Sequence, residues 1–266
     1  MYKIGIIFTG YNTQDTLLKS INPWVKAKRE RLHDSEILIS AVSLPFKGYE
    51  DLGVVRDSTT ETLKKFKENG DIDYLICEPE FITEAEARTL ASAPLMNDHV
   101  DLIWLVDSDE VYTHAQIKKI LDFIYDTPLV TWYKLSFKNF IFDEKSNLKE
   151  PFCPPRVFKT KNHNLTFLNF NYDNDATYQD SKGIYHQHAL PCLKIPSSVA
   201  YIKHYTWLNN ERTKNKIKYQ KIRWGEEGCS YDWDEKENKV KFNLNYFKKH
   251  NLPIPEIETR KEIVFG

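Results

Sequence analysis

Short apolar runs that alternate with helix-like segments constrain the fold of the first half of this chain more than any other feature. The four runs are KIGIIFT (residues 3–9), EILISAVS (36–43), YLIC (74–77) and LIWLV (102–106). Nearly continuous apolar runs of this length are typical of strands that are buried on both faces. The segments between them favour helices over residues 13–21, 58–69 and 83–96. Strands and helices in this alternation predict β-α-β units around a mainly parallel sheet.

A fourth helix is predicted shortly after the last of these strands. Thr113 and Gln116 form the T-x-x-Q pattern that is typical of a helix N-terminus. Four apolar residues then recur at the spacing of one helix face: Ile117, Ile120, Leu121 and Ile124. This helix therefore has a single apolar side that can pack on the sheet.

After residue 127 the sequence is rich in aromatic and β-branched residues. This composition favours strands within residues 130–142, 156–170 and 199–207, followed by a basic helix over residues 209–224. The polar segment 171–183 predicts a loop, and the residues after 224 predict an irregular tail. We expect one α/β domain over residues 1–266, divided into a front half (1–127), a β-rich back half (128–224) and a C-terminal extension (225–266).

Charge and cysteine content exclude several classes of protein. The 37 Lys and Arg residues balance 38 Asp and Glu residues, so a broadly basic nucleic-acid-binding surface is excluded. The four cysteines form no CxxC pair, which argues against a zinc knuckle and a disulfide framework. No segment has the roughly 18 apolar residues that a membrane span needs, and the N-terminus does not resemble a leader peptide. We therefore expect a soluble, cytoplasmic protein with no membrane span.

The acidic motif Asp107-Ser108-Asp109-Glu110 directly follows the apolar run LIWLV. Ligands of open parallel sheets collect at the carboxyl ends of the strands, and paired carboxylates there suit a hard divalent cation that bridges to phosphate oxygens. A calcium loop is nearly excluded, because Lys118 stands where its twelfth-position Glu should be and no Gly is at its sixth position. Acidic residues that merely favour a nearby helix N-terminus remain an alternative.

Several segments resemble GT-A-fold glycosyltransferases, particularly the family-two-like enzymes. IWLVDSDEV is similar to their strand and DxD motif, and IGIIFTGYNTQDTLLKSI is similar to their first nucleotide-binding strand, loop and helix. PRVFK (155–159) resembles their "pRlfr" segment, and VAYIKHYTW (199–207) resembles their late strand with a His. The resemblance implies a GT-A-like, Rossmann-like sheet in which residues 1–127 bind the nucleotide-sugar and residues 128–224 form an acceptor and metal half.

The same resemblance implies roles for individual residues. Thr9, Tyr11 and Asn12 would hold the base and ribose of the nucleotide. Arg88 would lie beside the donor diphosphate. Asp107, with Ser108, would contact the ribose or the donor sugar. Asp109 would bind Mn²⁺ or Mg²⁺, and His204 would be a further metal ligand or a diphosphate contact.

Each of these residues also has a purely structural interpretation. Residues 9–12 could form only a strand-to-helix turn, Arg88 could be solvated, and His204 could be a satisfied core histidine. The segment His186-Gln187-His188 could supply the metal ligand in place of His204. The basic helix could approach a diphosphate or a polyanionic acceptor, although a solvated face is the simpler interpretation.

The general base is where this sequence departs from the family's pattern. Many inverting members of the family keep an Asp or Glu in the acceptor half as the general base, and this chain offers Asp173, Asp175 and Asp180 there but no Glu-Asp pair. We take Asp180 as the first candidate for the base, while a turn-forming Asp is the alternative. If none of them serves, the enzyme could retain the sugar's configuration, so the stereochemical outcome is open.

The resulting hypothesis is a metal-dependent glycosyltransferase that moves a sugar from a nucleoside-diphosphate sugar to a hydroxyl acceptor, such as a glycan. UDP is favoured because it is the commonest donor nucleotide of the family. A sugar nucleotidyltransferase is disfavoured, because Gly10-Tyr11-Asn12 lacks the Gly-rich, basic character of a triphosphate loop. The third alternative is a nucleotide-sugar-binding module without turnover.

Overall fold

The computed structural model describes residues 2–47, 52, 56–77, 82–149, 153–162, 164–171, 175–186 and 191–259. Its helices are α1 (Gln14–Arg29), α2 (Thr59–Glu68), α3 (Glu84–Asn97), α4 (His114–Tyr125), α5 (Asn210–Trp224) and α6 (Leu244–Lys249). Its strands are β1 (Lys3–Thr9), β2 (Glu36–Val42), β3 (Tyr74–Ile76), β4 (Leu102–Asp107), β5 (Glu110–Val111), β6 (Trp132–Lys134), β7 (Phe137–Ile141), β8 (Asp143–Leu148), β9 (Pro155–Lys159), β10 (Lys161–Asn162), β11 (Leu165–Asn171), β12 (Asp175–Gln179), β13 (Tyr185–His186), β14 (Cys192–Lys194), β15 (Ile202–Trp207), β16 (Tyr231–Asp234), β17 (Lys239–Phe242) and β18 (Ile257–Thr259).

The central sheet has seven strands in the order β14-β6-β9-β4-β1-β2-β3. Strands β1 to β4 run parallel to one another, and β9 is antiparallel to both of its neighbours. The register pairs Thr9 with Val42 on one side and with Asp107 on the other. The predicted α/β fold with a mainly parallel sheet is confirmed, and its carboxyl edge brings the end of β1 beside the acidic motif.

Helices and strands cover both faces of this sheet, which explains the continuous apolar runs. Along β1, Ile6 and Phe8 pack in the core that contains α1 and α4, whereas Ile7 packs in the core that contains α3. Gly5 allows a close approach of α3, because a Cβ at this position would lie 2.9 Å from Leu95 Cδ1. The position of α3 above the sheet is therefore tightly constrained.

A second, five-stranded sheet has the order β18-β8-β7-β15-β5. Strand β5 begins immediately after the DSD tripeptide and pairs antiparallel with β15, with His204 opposite Glu110. Strand β15 also pairs in parallel with β7, with His204 beside Asn139. This backbone ladder places the predicted late histidine next to the acidic motif.

Two predictions about element bounds are wrong. Helix α1 continues past Ile21 through Pro23 to Arg29, because Leu17, Ile21 and Trp24 are buried on one face and their packing offsets the hydrogen bond that proline removes. The segment predicted as a loop contains β12, which pairs antiparallel with β11 and buries Tyr178 in the core beneath α3.

The C-terminal extension is not an irregular tail. Strands β16 and β17 form a hairpin whose Tyr231 and Val240 pack with Ile141 and Trp207 in a third core. Strand β18 pairs antiparallel with β8 at the edge of the second sheet. Aromatic and apolar residues spaced along this segment thus cover the outer side of β7, β8 and β15.

Within the described residues, each helix is too short or too polar to serve as a membrane span.

Candidate functional site

A cavity of about 270 Å³ opens at the carboxyl edge of the central sheet. Three groups of residues line it: the end of β1, the acidic motif after β4, and one side of α5. Its walls are completed by Phe46, Glu84, Arg88, Phe137, Arg156 and His204. Seven of the predicted donor and metal residues line this one cavity: Thr9, Tyr11, Arg88, Asp107, Ser108, Asp109 and His204.

Asp107 is held by two arginines. Arg88 Nη2 donates to its two carboxylate oxygens at 3.2 and 3.3 Å, and Arg156 Nη2 donates to Oδ2 at 3.3 Å. The Thr9 hydroxyl donates to Oδ1. Burial would raise the pKa of Asp107, but the two guanidinium groups hold it well below its ordinary value. The Asp107 carboxylate is therefore a fixed anion whose charge is already balanced by the chain.

Arg88 is the strongest indication of an anion-binding site. Its side chain lies in α3 and is only 4% exposed. Nη2 binds Asp107, whereas Nε and Nη1 are buried and have no hydrogen-bond partner among the described residues. Buried N–H groups without acceptors are costly. Because Arg88 lines the cavity, an anionic ligand there could accept these hydrogen bonds.

Asp109 and His204 form a second pair on the other side of the motif. Asp109 Oδ2 and His204 Nε2 are 3.6 Å apart, and both side chains are less than one-sixth exposed. The Thr206 hydroxyl donates to Asp109 and lies 2.8 Å from His204 Nε2. Burial would raise the pKa of Asp109, but His204, Lys216 and Arg212 keep it below its ordinary value.

His204 Nε2 faces Asp109 Oδ2 and the Thr206 hydroxyl. The ring nitrogen Nδ1 lies 2.5 Å from Asn139 Oδ1, and this contact orients the ring. Burial lowers the pKa of His204 to about 4, although Asp109 opposes the shift, so the imidazole is neutral at pH 7. A neutral imidazole whose other nitrogen is oriented by a hydrogen bond is typical of a metal ligand.

This donor set fits a divalent cation. The separation of 3.6 Å allows Asp109 Oδ2 and His204 Nε2 to contact one ion at the roughly 2.1 Å that Mg²⁺ prefers. No group of three or more His, Cys, Asp or Glu side chains within the described ranges could hold a metal. The described residues therefore offer two ligands at this site, and phosphate oxygens or water would have to supply the rest.

The helix α5 contributes cationic and aromatic side chains to the cavity, although a solvated face was the simpler interpretation of its basic residues from the sequence. Arg212, Lys216, Tyr219, Gln220 and Trp224 line the cavity. Arg212 donates to Asp15 at 2.8 Å and to the Tyr205 carbonyl at 2.6 Å, which ties α5 to α1 and β15. The sequence alone could not show which side of α5 faces the cavity, because Lys and Arg residues occur all around the helix.

Glu110, the last residue of the acidic motif, is fully buried and lies outside the described cavity lining, and the sequence analysis gave it no role in the site. Its carboxylate accepts from Arg156 Nε at 3.0 Å and from Nη2 at 2.5 Å. Burial raises the pKa of Glu110 to about 8, although Arg156 opposes this shift. Arg156, from the PRVFK segment, thus links Glu110 to Asp107. All five residues of β9 are buried, Arg156 included, and the signal that could have suggested this pair is a charged Arg within a predicted strand.

The loop after β1 is held by hydrogen bonds to both the acidic motif and α2. Ser108 Oγ donates to Thr13 Oγ1 at 2.7 Å, and a Cβ at Gly10 would lie 3.1 Å from the Ser108 side chain. Asn12, with φ of 52°, accepts from the Asp57 backbone N–H at 3.0 Å. Tyr11 faces the cavity, whereas Asn12 is not among the described residues that line it.

Asp180 lies outside the cavity. Its carboxylate caps the turn between β12 and β13, accepting from the N–H groups of Lys182 at 2.8 Å and Ile184 at 2.9 Å. His186 Nε2 lies 3.1 Å from it. These hydrogen bonds, with that to Ile184 the strongest, lower the pKa of Asp180. The structure places Asp180 and His186 together in this turn and apart from His204; Asp173, Gln187 and His188 lie outside the described residues.

No protein-family model and no curated protein matches the chain. The solved structures similar to it include residues 1–349 of S. aureus TarS in complex with UDP-GlcNAc, with 13% identity over 94% of this chain and 72% of that chain and a TM-score of 0.43. The TarS complex with UDP matches with 17% identity over 53% of this chain and 37% of that chain, with a TM-score of 0.35.

Two further proteins have similar structures. The mannosyltransferase PcManGT from Pyrobaculum calidifontis, in complex with GDP-Man and Mn²⁺, is 12% identical over 82% of this chain and 63% of its own, with a TM-score of 0.45. A cytidylyltransferase from Leptospira borgpetersenii is 13% identical over 60% of this chain and 61% of its own, with a TM-score of 0.32. In three of these four matches the chain spans less than two thirds of its neighbour. All four TM-scores are below 0.5, so these similarities support no statement about the activity of this chain.

Proposed function

We propose that this protein is a metal-dependent glycosyltransferase. It would transfer a sugar from a nucleoside-diphosphate sugar, with a UDP-sugar as the favoured donor, to the hydroxyl group of an acceptor such as a glycan. One observation carries the proposal: the Asp109–His204 pair and the partly unpartnered Arg88 line the same cavity. A divalent cation at the Asp109–His204 pair and the N–H groups of Arg88 could both contact the oxygens of one diphosphate.

The charges around the cavity support an anionic ligand. Its described lining contains four cationic side chains, Arg88, Arg156, Arg212 and Lys216, against three carboxylates, Glu84, Asp107 and Asp109. A diphosphate brings about two to three negative charges, which this balance and one divalent cation together could neutralise. The cavity is thus better suited to a nucleoside diphosphate than to a neutral sugar alone.

Specific roles follow from these contacts. Asp109 and His204 would hold Mn²⁺ or Mg²⁺, which when bound supplies positive charge for the departing diphosphate. Arg88 would donate its free N–H groups to the diphosphate. Asp107, fixed by both arginines, would accept a hydrogen bond from the ribose or the donor sugar. The cavity side of Thr9, Tyr11 and Ser108 would contact the nucleoside.

The experiment is a calorimetric titration of UDP, GDP, CDP and TDP, each with and without Mn²⁺. We expect one nucleotide to bind far more tightly with the metal than without it, and Asp109→Asn to abolish this effect of the metal. Asp126→Asn removes an exposed carboxylate at the end of α4 and should bind like the wild type. If none of the four nucleotides binds to the folded wild type, the proposal is wrong.

A binding module without turnover is the second candidate. It is favoured by the position of Asp180, whose carboxylate is occupied in its own turn, so that the predicted general base lies away from the cavity. Slow hydrolysis of the donor sugar in the absence of acceptor separates the two functions. A transferase should release free sugar in a metal-dependent manner, whereas a binding module should bind the donor and leave it intact.

A further inference from the structure

Lys216 lies beside the two residues that fit a divalent cation. Its Nζ donates to Thr206 Oγ1 at 3.1 Å. The same hydroxyl donates to Asp109 and lies 2.8 Å from His204 Nε2. One hydroxyl group therefore joins the ammonium, the carboxylate and the imidazole at one end of the cavity.

The environment of Lys216 differs from that of Lys214 and Lys221, two other lysines of α5. Lys214 forms a salt bridge with Glu235, and Lys221 forms one with Asp232. Lys216 forms no salt bridge with any carboxylate within the described residues, and its ammonium lies 5.5 Å from the centre of the Trp207 ring. Because Lys216 lines the cavity, its charge is directed at the ligand space rather than at the protein surface.

A fixed ammonium group in this position has opposite effects on the two ligands. It repels a divalent cation that approaches Asp109 and His204, and it attracts the oxygens of a diphosphate. An anion that reaches both the cation and Lys216 removes the repulsion. The two ligands then bind with a positive coupling that must be reciprocal, since each must raise the affinity of the other by the same factor.

We propose that Lys216 makes metal binding depend on the diphosphate. In the free protein its ammonium weakens binding of a divalent cation to the Asp109–His204 pair, and in the presence of a nucleoside diphosphate it joins the metal in holding the phosphate oxygens. This inference rests on the proposed function, because it assumes that both ligands share this cavity. It adds an order of binding, with nucleotide and metal entering together.

The test measures Mn²⁺ binding by electron paramagnetic resonance, first with the protein alone and then with UDP. GDP, CDP or TDP replaces UDP if one of them binds more tightly in the titration described above. A titration without protein corrects for the Mn²⁺–nucleotide complex in solution. The coupling factor is the ratio of the two Mn²⁺ dissociation constants, and the nucleotide affinities with and without Mn²⁺ must give the same ratio.

We expect Lys216→Met to bind Mn²⁺ alone about tenfold more tightly than the wild type and to reduce the coupling factor by about tenfold or more, within the range typical of coupled sites. Lys216→Arg keeps the charge and should keep most of the coupling. Lys218→Met is the matched control, because it removes an exposed charge of the same helix outside the described cavity lining. Thermal unfolding of each variant verifies that it is folded.

The outcomes separate this inference from the proposed function. If wild type binds neither Mn²⁺ nor any of the four nucleotides, the proposed function is wrong, and the inference is wrong with it. If both ligands bind and depend on Asp109, but Lys216→Met leaves the Mn²⁺ affinity and the coupling factor unchanged, only the role of Lys216 is overturned. A Lys218→Met variant that loses coupling as strongly as Lys216→Met would also overturn it, since the effect would then be one of general charge.

Discussion

Arg88 combines near-complete burial with two unpaired nitrogen atoms in the part of the chain that the structure describes. Hydrogen bonds to charged groups contribute roughly 1.5–3 kcal/mol each. We therefore expect Arg88→Met to weaken binding of the nucleotide by about 2 kcal/mol, measured calorimetrically with Mn²⁺ present. Arg29→Met, which removes a largely exposed arginine of α1, is the control and should leave the affinity unchanged. Equal affinities of wild type and Arg88→Met would exclude a direct contact of Arg88 with the ligand.

Asn139 orients the His204 ring through its contact with Nδ1. Mutation of a residue that orients a metal ligand typically lowers the metal affinity by about 10- to 100-fold. We expect Asn139→Leu to weaken Mn²⁺ binding within that range when nucleotide is present, because the ring loses the contact that orients it. Asn139→Asp keeps an acceptor for Nδ1 and should retain the affinity. Tight binding in both variants would show that His204 is not a metal ligand.

The residues of the site were predictable where the backbone alone determines their position. Asp107 and Asp109 follow a buried strand, so the carboxyl edge of a parallel sheet was the expected place for them. Lys216 was not predictable, because its direction depends on how α5 packs against β15. The sequence also cannot distinguish an Asp that caps a turn from one that faces a ligand, and Asp180 is of the first kind.

Helices α3 and α4 both begin with a capping box. Thr83 and Glu86 form a capping box at the start of α3, and Thr113 and Gln116 form one at the start of α4. Loss of such a cap costs about 1 kcal/mol. We expect Thr83→Ala and Thr113→Ala to lower the free energy of unfolding by about this amount in urea denaturation. Only Thr83→Ala should also weaken nucleotide binding, because α3 carries Arg88. Equal nucleotide affinities of the two variants would contradict a dependence of the Arg88 position on the α3 cap.

Element type was more predictable than element length. The capping pattern and the single apolar face of α4 are local, and both are seen in the structure. Helix α1 exceeds its predicted end because burial of Trp24 against Trp104 and Tyr112 overrides the local effect of Pro23. Strand β12 was missed because its pairing with β11 is a contact between segments, and its polar neighbours resemble a loop.

At the scale of the whole molecule, the C-terminal segment acts as a cover for the second sheet. The Tyr231 and Trp207 rings lie 4.2 Å apart between centroids, and both residues are buried. Truncation of a large buried aromatic costs about 3–5 kcal/mol. We expect Tyr231→Ala to lower the free energy of unfolding by about 3 kcal/mol in urea denaturation. Tyr185→Phe changes an exposed tyrosine and should leave stability unchanged. A loss below about 1 kcal/mol for Tyr231→Ala would show that the third core contributes little.

The cavity lining extends along the chain from Thr9 to Trp224. A molecule bound there touches segments that are adjacent only in the folded state, so its binding free energy is added to the free energy of global unfolding. At a concentration one hundred times its dissociation constant, a ligand stabilises the native state by about 2.7 kcal/mol. Proteases cleave chains that open transiently, and opening becomes rarer as the native state is stabilised. The supply of ligand would thereby set how long each copy of this protein survives.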